Sequence, residues 1–165
     1  VRISVFESPA LQGVILTLKG SERAIAAEMR KRTRSMVEPE WRNELAQNSI
    51  TRMENIALVN TARVTVSNQN VQLKAGQLAK KLSGGGRVWE VSHLVEFGAD
   101  PEWERPATSV KGKGFRRRMG SRFRPRNMKG YVVYPAAADL IPRVAALWVQ
   151  TVVRTFHELV EKEAR

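Results

Sequence analysis

From Asp139 to about Glu163 the apolar residues Leu140, Val144, Leu147, Trp148, Val152, Phe156, Leu159 and Val160 recur on one helical face. A stripe this long has to be buried, so a C-terminal helix packed against the sheet is the element that most restricts the fold. Asp139 is a suitable N-cap, and Pro142 is compatible with the helix if it lies in the first turn. Upstream the period changes. Ala62, Val64 and Val66 alternate with Arg63, Thr65 and Ser67, and Val71, Leu73 and Ala75 alternate with Gln72, Lys74 and Gly76. Two half-buried strands follow, joined through Ser67-Asn68-Gln69-Asn70 as a β-hairpin. A further strand is expected over Val88 to Phe97 and a short apolar one over Tyr131 to Tyr134.

Before the hairpin, Leu11, Val14, Ile15, Leu18, Ile25, Met29 and Met36 recur mostly at helical spacing, with Gly20-Ser21 as a break. This predicts one interrupted helix or two short ones. Arg30, Lys31, Arg32 and Arg34 then fall in the last turns, where cations suit the helix dipole, and Pro39 stops the helix. A second short helix is expected from Pro39 through Gln47. Together the elements predict an α+β fold: a small, mainly antiparallel sheet packed by N-terminal helices and a long C-terminal helix, with a long basic loop.

A length of 165 residues fits a single domain over 1–165, and 42% apolar with 27% charged residues is the balance of a chain that folds. Cysteine is absent, which excludes disulfides and thiolate metal sites and fits a reducing cytosol. Apolar runs fall short of the ~18 residues of a bilayer-spanning segment, and Val1 to Glu7 has neither a basic nor an apolar leader region. Neither a membrane nor secretion is expected.

The formal charge of +12 is concentrated. Arg105 to Lys129 holds Arg105, Lys111, Lys113, Arg116, Arg117, Arg118, Arg122, Arg124, Arg126 and Lys129, and not one acidic residue. Pro106, Gly112, Gly114, Gly120 and Pro125 interrupt it, so it cannot be a regular helix. The chain is a near-neutral domain bearing a basic arm over 105–130. A structureless loop of this length is uncommon in a compact domain unless it is functional or disordered. Phe115 and Phe123, interleaved with the arginines, allow three readings: docking on an acidic neighbouring subunit, contact with nucleic acid, or a solvated loop. The phenylalanines favour docking, because an apolar anchor has nothing to stack on along an intact duplex.

Reactive constellations are scarce. His93 and His157 have no metal-ligand partner at useful spacing, and Glu90 and Glu96, expected in one strand, would stand ~20 Å apart. Ser83-Gly84-Gly85-Gly86 lacks the lysine-hydroxyl pair of a phosphate-cradling loop and reads as a flexible turn. Gly112-Lys113-Gly114 lacks the third glycine of a dinucleotide fingerprint, which Arg117 replaces. No enzyme, cofactor or metal is expected.

Val95-Glu96-Phe97-Gly98 resembles the strand ending in an aromatic-glycine corner found in the minor neck or tail-completion proteins of siphophages, and Tyr134-Pro135-Ala136-Ala137 resembles their proline-led start of the last helix. Ile141-Pro142-Arg143 and Leu147-Trp148 are similar to the branch from actinobacterial phages. The resemblance spans roughly residues 10–163, and the arm departs from it in length and charge. It implies a non-enzymatic virion protein of the neck, assembled in the host cytoplasm. It further implies a homo-oligomeric ring of six subunits between the head-closure protein and the tail terminator or tail tube, with double-stranded DNA passing along its axis. The alternatives are a monomeric or dimeric nucleic-acid-binding module and a tail terminator ring subunit.

Overall fold

The protein has an α+β fold, seen in a computed structural model that describes residues 2–4, 23–67, 70–82, 86–109 and 111–163. The expected helical stretch around Leu11 to Leu18 and the break at Gly20-Ser21 lie outside these residues. Strand β1 (Arg2–Ser4) precedes a 26-residue helix α1 (Arg23–Asn48) and a short helix α2 (Arg52–Ala57), which runs into a 3-10 turn (Val59–Thr61). Strands β2 (Arg63–Val66) and β3 (Val71–Lys74), helix α3 (Val88–Phe97), strands β4 (Glu104–Thr108) and β5 (Gly114–Arg118), a 3-10 turn (Gly120–Arg122) and the 31-residue helix α4 (Val133–Glu163) follow. Two antiparallel sheets result: β1-β3-β2, with β3 in the middle, and the ribbon β4-β5.

The hairpin lies where the alternation put it. Val64 pairs with Leu73 and Val66 with Val71, all four buried, and the Ser67 hydroxyl accepts the Asn70 N–H at 2.9 Å at the turn. Helix α1 lies on β2 and buries Met29, Val37, Trp41 and Leu45, spaced so that one face carries them all; the Trp41 indole N–H donates to the Lys74 carbonyl at 3.1 Å.

Several elements differ from the sequence expectation. Pro39 does not end the first helix: it sits inside α1 with both Pro39 and Ser35 on the exposed side, where water can satisfy the carbonyl the proline leaves free, while Val37 and Trp41 hold the turn to the core. The cluster Arg30 to Arg34 is therefore mid-helix, away from the negative end of the dipole. Val88 to Phe97 is a helix, not a strand; Glu90 returns its carboxylate to the Arg87 N–H at 3.1 Å, and Gly98, at φ 70°, ends it. The arm is not structureless, since Arg105 to Arg118 falls largely in the β4-β5 ribbon.

The last correction concerns α4. It starts at Val133, so no strand forms over Tyr131 to Tyr134, Asp139 is an exposed interior residue rather than the N-cap, and Pro142 lies well past the first turn. Its main partner is α1 rather than the sheet. The two helices run antiparallel, with Arg143 paired to Glu44, the Thr151 hydroxyl 3.5 Å from Met36 Sδ, and Arg32 bonded to Glu158 at 2.7 Å. Leu140, Val144 and Trp148 enter the core as expected, whereas Leu147 is only half-buried. Side chains of Val152, Phe156, Leu159 and Val160 lie outside the described part. By length and composition Val133–Thr155 also suffices to cross a membrane, contrary to the expectation from apolar runs; here it is the core helix.

Candidate interaction ribbon

The basic arm divides into a projecting ribbon and a segment that returns to the body. In the ribbon, Glu104 pairs with Arg118, Arg105 with Arg117, Pro106 with Arg116, Ala107 with Phe115 and Thr108 with Gly114. The Met119 N–H continues the ladder to the Trp103 carbonyl at 2.9 Å. Directly paired residues share a face, so the ribbon has two unlike sides.

On one side the cations are neutralised within the chain. Arg116 meets Glu104 at 3.0 Å, and Arg118 reaches both Glu104 at 3.4 Å and Glu102 at 3.5 Å. The other side carries Trp103, Arg105, Ala107, Phe115 and Arg117. Arg105 lies 3.9 Å from Glu90 and ties the ribbon base to α3, and Met119 is buried with Leu94 and Ala99. Trp103 at the base and Phe115 farther out remain half exposed at 50% and 47%, and Arg117 has no carboxylate within salt-bridge distance among the described residues. Every residue of β5 is exposed, and Lys111 and Lys113 sit at the exposed tip with Gly112 at φ 77°.

Beyond the ribbon the remaining candidates part company. Phe123 is half-buried against the main core, and Arg124 is held by Glu54 at 3.3 Å while its guanidinium lies 3.7 Å over the Tyr131 ring. Both therefore make contacts within the body of this fold, whereas Phe115 does not. Arg122, Arg126 and Lys129 are exposed.

Two buried carboxylates fix this return. Glu54 closes the capping box of α2, accepting the Ile50 and Thr51 N–H groups at 2.8 Å each. Burial pushes its pKa up, but those two N–H groups and Arg124 outweigh it, and the net direction is down. Glu96, fully buried on α3, accepts the N–H groups of Val132, Val133 and Tyr134 at 3.2, 2.8 and 3.1 Å. Burial raises its pKa, and the three hydrogen bonds offset that only in part. The Glu96 cap explains the early start of α4: the acceptor comes from a distant helix rather than from Asp139.

His93 packs at a tilt against Phe97 with ring centroids 4.8 Å apart, and both it and His157 are exposed. Glu90 and Glu96 serve two different helix starts. Among the described residues no three His, Cys, Asp or Glu side chains are grouped to hold a metal. Ser83, Gly84 and Gly85 lie outside the described residues; on either side of them the Leu82 N–H donates to the Gly86 carbonyl at 2.7 Å. Comparisons with family models, curated proteins and solved structures find no match for this chain.

Proposed function

We propose that this chain is a structural, non-enzymatic subunit of a tailed bacteriophage, one copy of a closed neck ring that joins the head to the tail and lets double-stranded DNA through. The observation that carries the reading is the β4-β5 ribbon, which stands outside the core with all of β5 exposed. A two-stranded ribbon is marginal by itself in water, and a neighbouring subunit that covers it supplies the missing contact. Repetition around a ring multiplies a modest contact into a firm assembly. The Val95 to Gly98 segment that carried the resemblance to neck proteins ends a helix rather than a strand, so only its position before the last helix agrees with that family; Glu96 in it caps the helix entered at Tyr134-Pro135. Head-closure and tail terminator or tail tube proteins are the adjoining partners in this proposal, in a virion assembled in the host cytoplasm.

The test is removal of the ribbon. Trp103 and Met119 are bonded across its base, so 104–118 can be replaced by a short Gly-Ser turn. The shortened chain is expected to fold and to leave heads and tails unjoined. Normal joining would refute the role of the ribbon.

A further inference from the structure

The two sides of the ribbon differ in what they leave unsatisfied. Arg116 and Arg118 already have Glu102 and Glu104, so the side they share offers little net charge to a partner. On the other side Arg117 stands between two half-exposed aromatic rings, Trp103 toward the base and Phe115 toward the tip. Those residues are four steps apart along the ladder, roughly 13 Å at ~3.3 Å per residue, with Arg117 at the step midway between them. An aromatic-arginine-aromatic row fits a protein surface that offers a carboxylate flanked by apolar ground.

The chain carries a surface of that charge. At the α1-α4 junction Glu44 takes the Arg143 guanidinium, while Glu40 and Asp139, also near enough to act on Arg143, are exposed and have no ion pair among the described residues. Three carboxylates around one cation leave a local negative surplus on a chain whose formal charge is +12. Ala138 and Pro142, both exposed, provide apolar ground beside them.

We infer that the Trp103, Arg117 and Phe115 side of the ribbon docks on a second copy of this chain, which receives Arg117 between Glu40 and Asp139. The inference rests on the ring reading above and adds which face is used and what receives it. A head-to-tail contact of this kind has a donor patch and a different acceptor patch on every subunit, which is the geometry that closes rings.

Complementation tests it, using phage that lacks its own copy and full-length chains supplied in trans. Arg117→Glu is expected to lower joined particles at least tenfold, with Arg117→Gln intermediate and Arg52→Glu, the same charge change on exposed α2, without effect. Adding Glu40→Lys and Asp139→Lys to Arg117→Glu is expected to restore joining. Unchanged thermal melting of each variant shows that folding is not the cause. Joining indifferent to Arg117→Glu, or not restored by the reciprocal change, overturns the inference, and the ring reading stands or falls separately on whether wild-type necks contain a ring of this chain. Salt-dependent binding of a single-stranded oligonucleotide that Arg117→Glu abolishes while joining is normal would overturn it in favour of a nucleic-acid face.

Discussion

The Glu96 carboxylate accepts the Val133 backbone N–H at 2.8 Å, and through this contact a side chain on α3 sets where the 31-residue helix α4 begins. Glu96→Ala would leave buried N–H groups without an acceptor, at a cost of roughly 1–3 kcal/mol. Gly130 guards the same spot: at φ 76°, a Cβ there would collide with Glu96 Oε1. Gly130→Ala is therefore expected to destabilise by more than ~1 kcal/mol in denaturant unfolding, and an unchanged midpoint would contradict this account of the helix start.

The two buried carboxylates give opposite pH dependences. Glu54 has a depressed folded pKa, so its contribution is complete above the ordinary carboxylate value and is lost as pH falls through the folded value. Glu96 has a raised folded pKa, so the folded state favours its protonated form and stability declines as pH rises from the ordinary carboxylate value through the folded one. Arg124→Met, which takes a partner from Glu54, is expected to cost roughly 1–3 kcal/mol at neutral pH and to move acid unfolding to higher pH. Glu96→Gln is expected to remove the decline on the rising side. Stability curves that keep their shape in both variants would contradict these assignments.

Core placement predicts a contrast within α4. Leu140 is fully buried and Leu147 half-buried, so Leu140→Ala should cost ~2–5 kcal/mol and Leu147→Ala distinctly less. Equal losses in denaturant unfolding would contradict the packing of α4 on α1.

Thr33 and Thr155 are buried with hydroxyls that meet no partner among the described residues, and the α1-α4 register, with Met36 by Thr151 and Arg32 by Glu158, sets them in the same layer. Replacing both by Val exchanges unpaired hydroxyls for methyl groups of similar shape and is expected to leave stability unchanged or raise it by up to ~1 kcal/mol. A lower melting temperature would show that the hydroxyls are bonded.

Where local spacing and burial agree, the fold was legible: the Val64 to Leu73 hairpin and the Leu140, Val144 and Trp148 stripe needed only period and propensity. Val88 to Phe97 misled because its β-branched and aromatic residues suit a strand, while Glu90 and Gly98, the start and stop signals of a helix, stood at its two ends unread. The beginning of α4 was illegible, since its cap, Glu96, lies far away in sequence. In the arm, Gly112 marked a turn and the absence of acidic residues from Arg105 to Lys129 hid the fact that Glu102 and Glu104, just before it, neutralise Arg116 and Arg118. Phe123 and Arg124 share a pattern with Phe115 and Arg117, and only tertiary contact separates the first pair, held by the body, from the second.

The central claim is that many copies of this chain close into one ring, and an electron cryo-microscopy reconstruction of the neck in the tailed particle that carries it measures this directly. The account predicts a closed ring, with six copies expected, in which each β4-β5 ribbon lies on the adjacent copy. One or two copies per neck, or a neck without this chain, would contradict it.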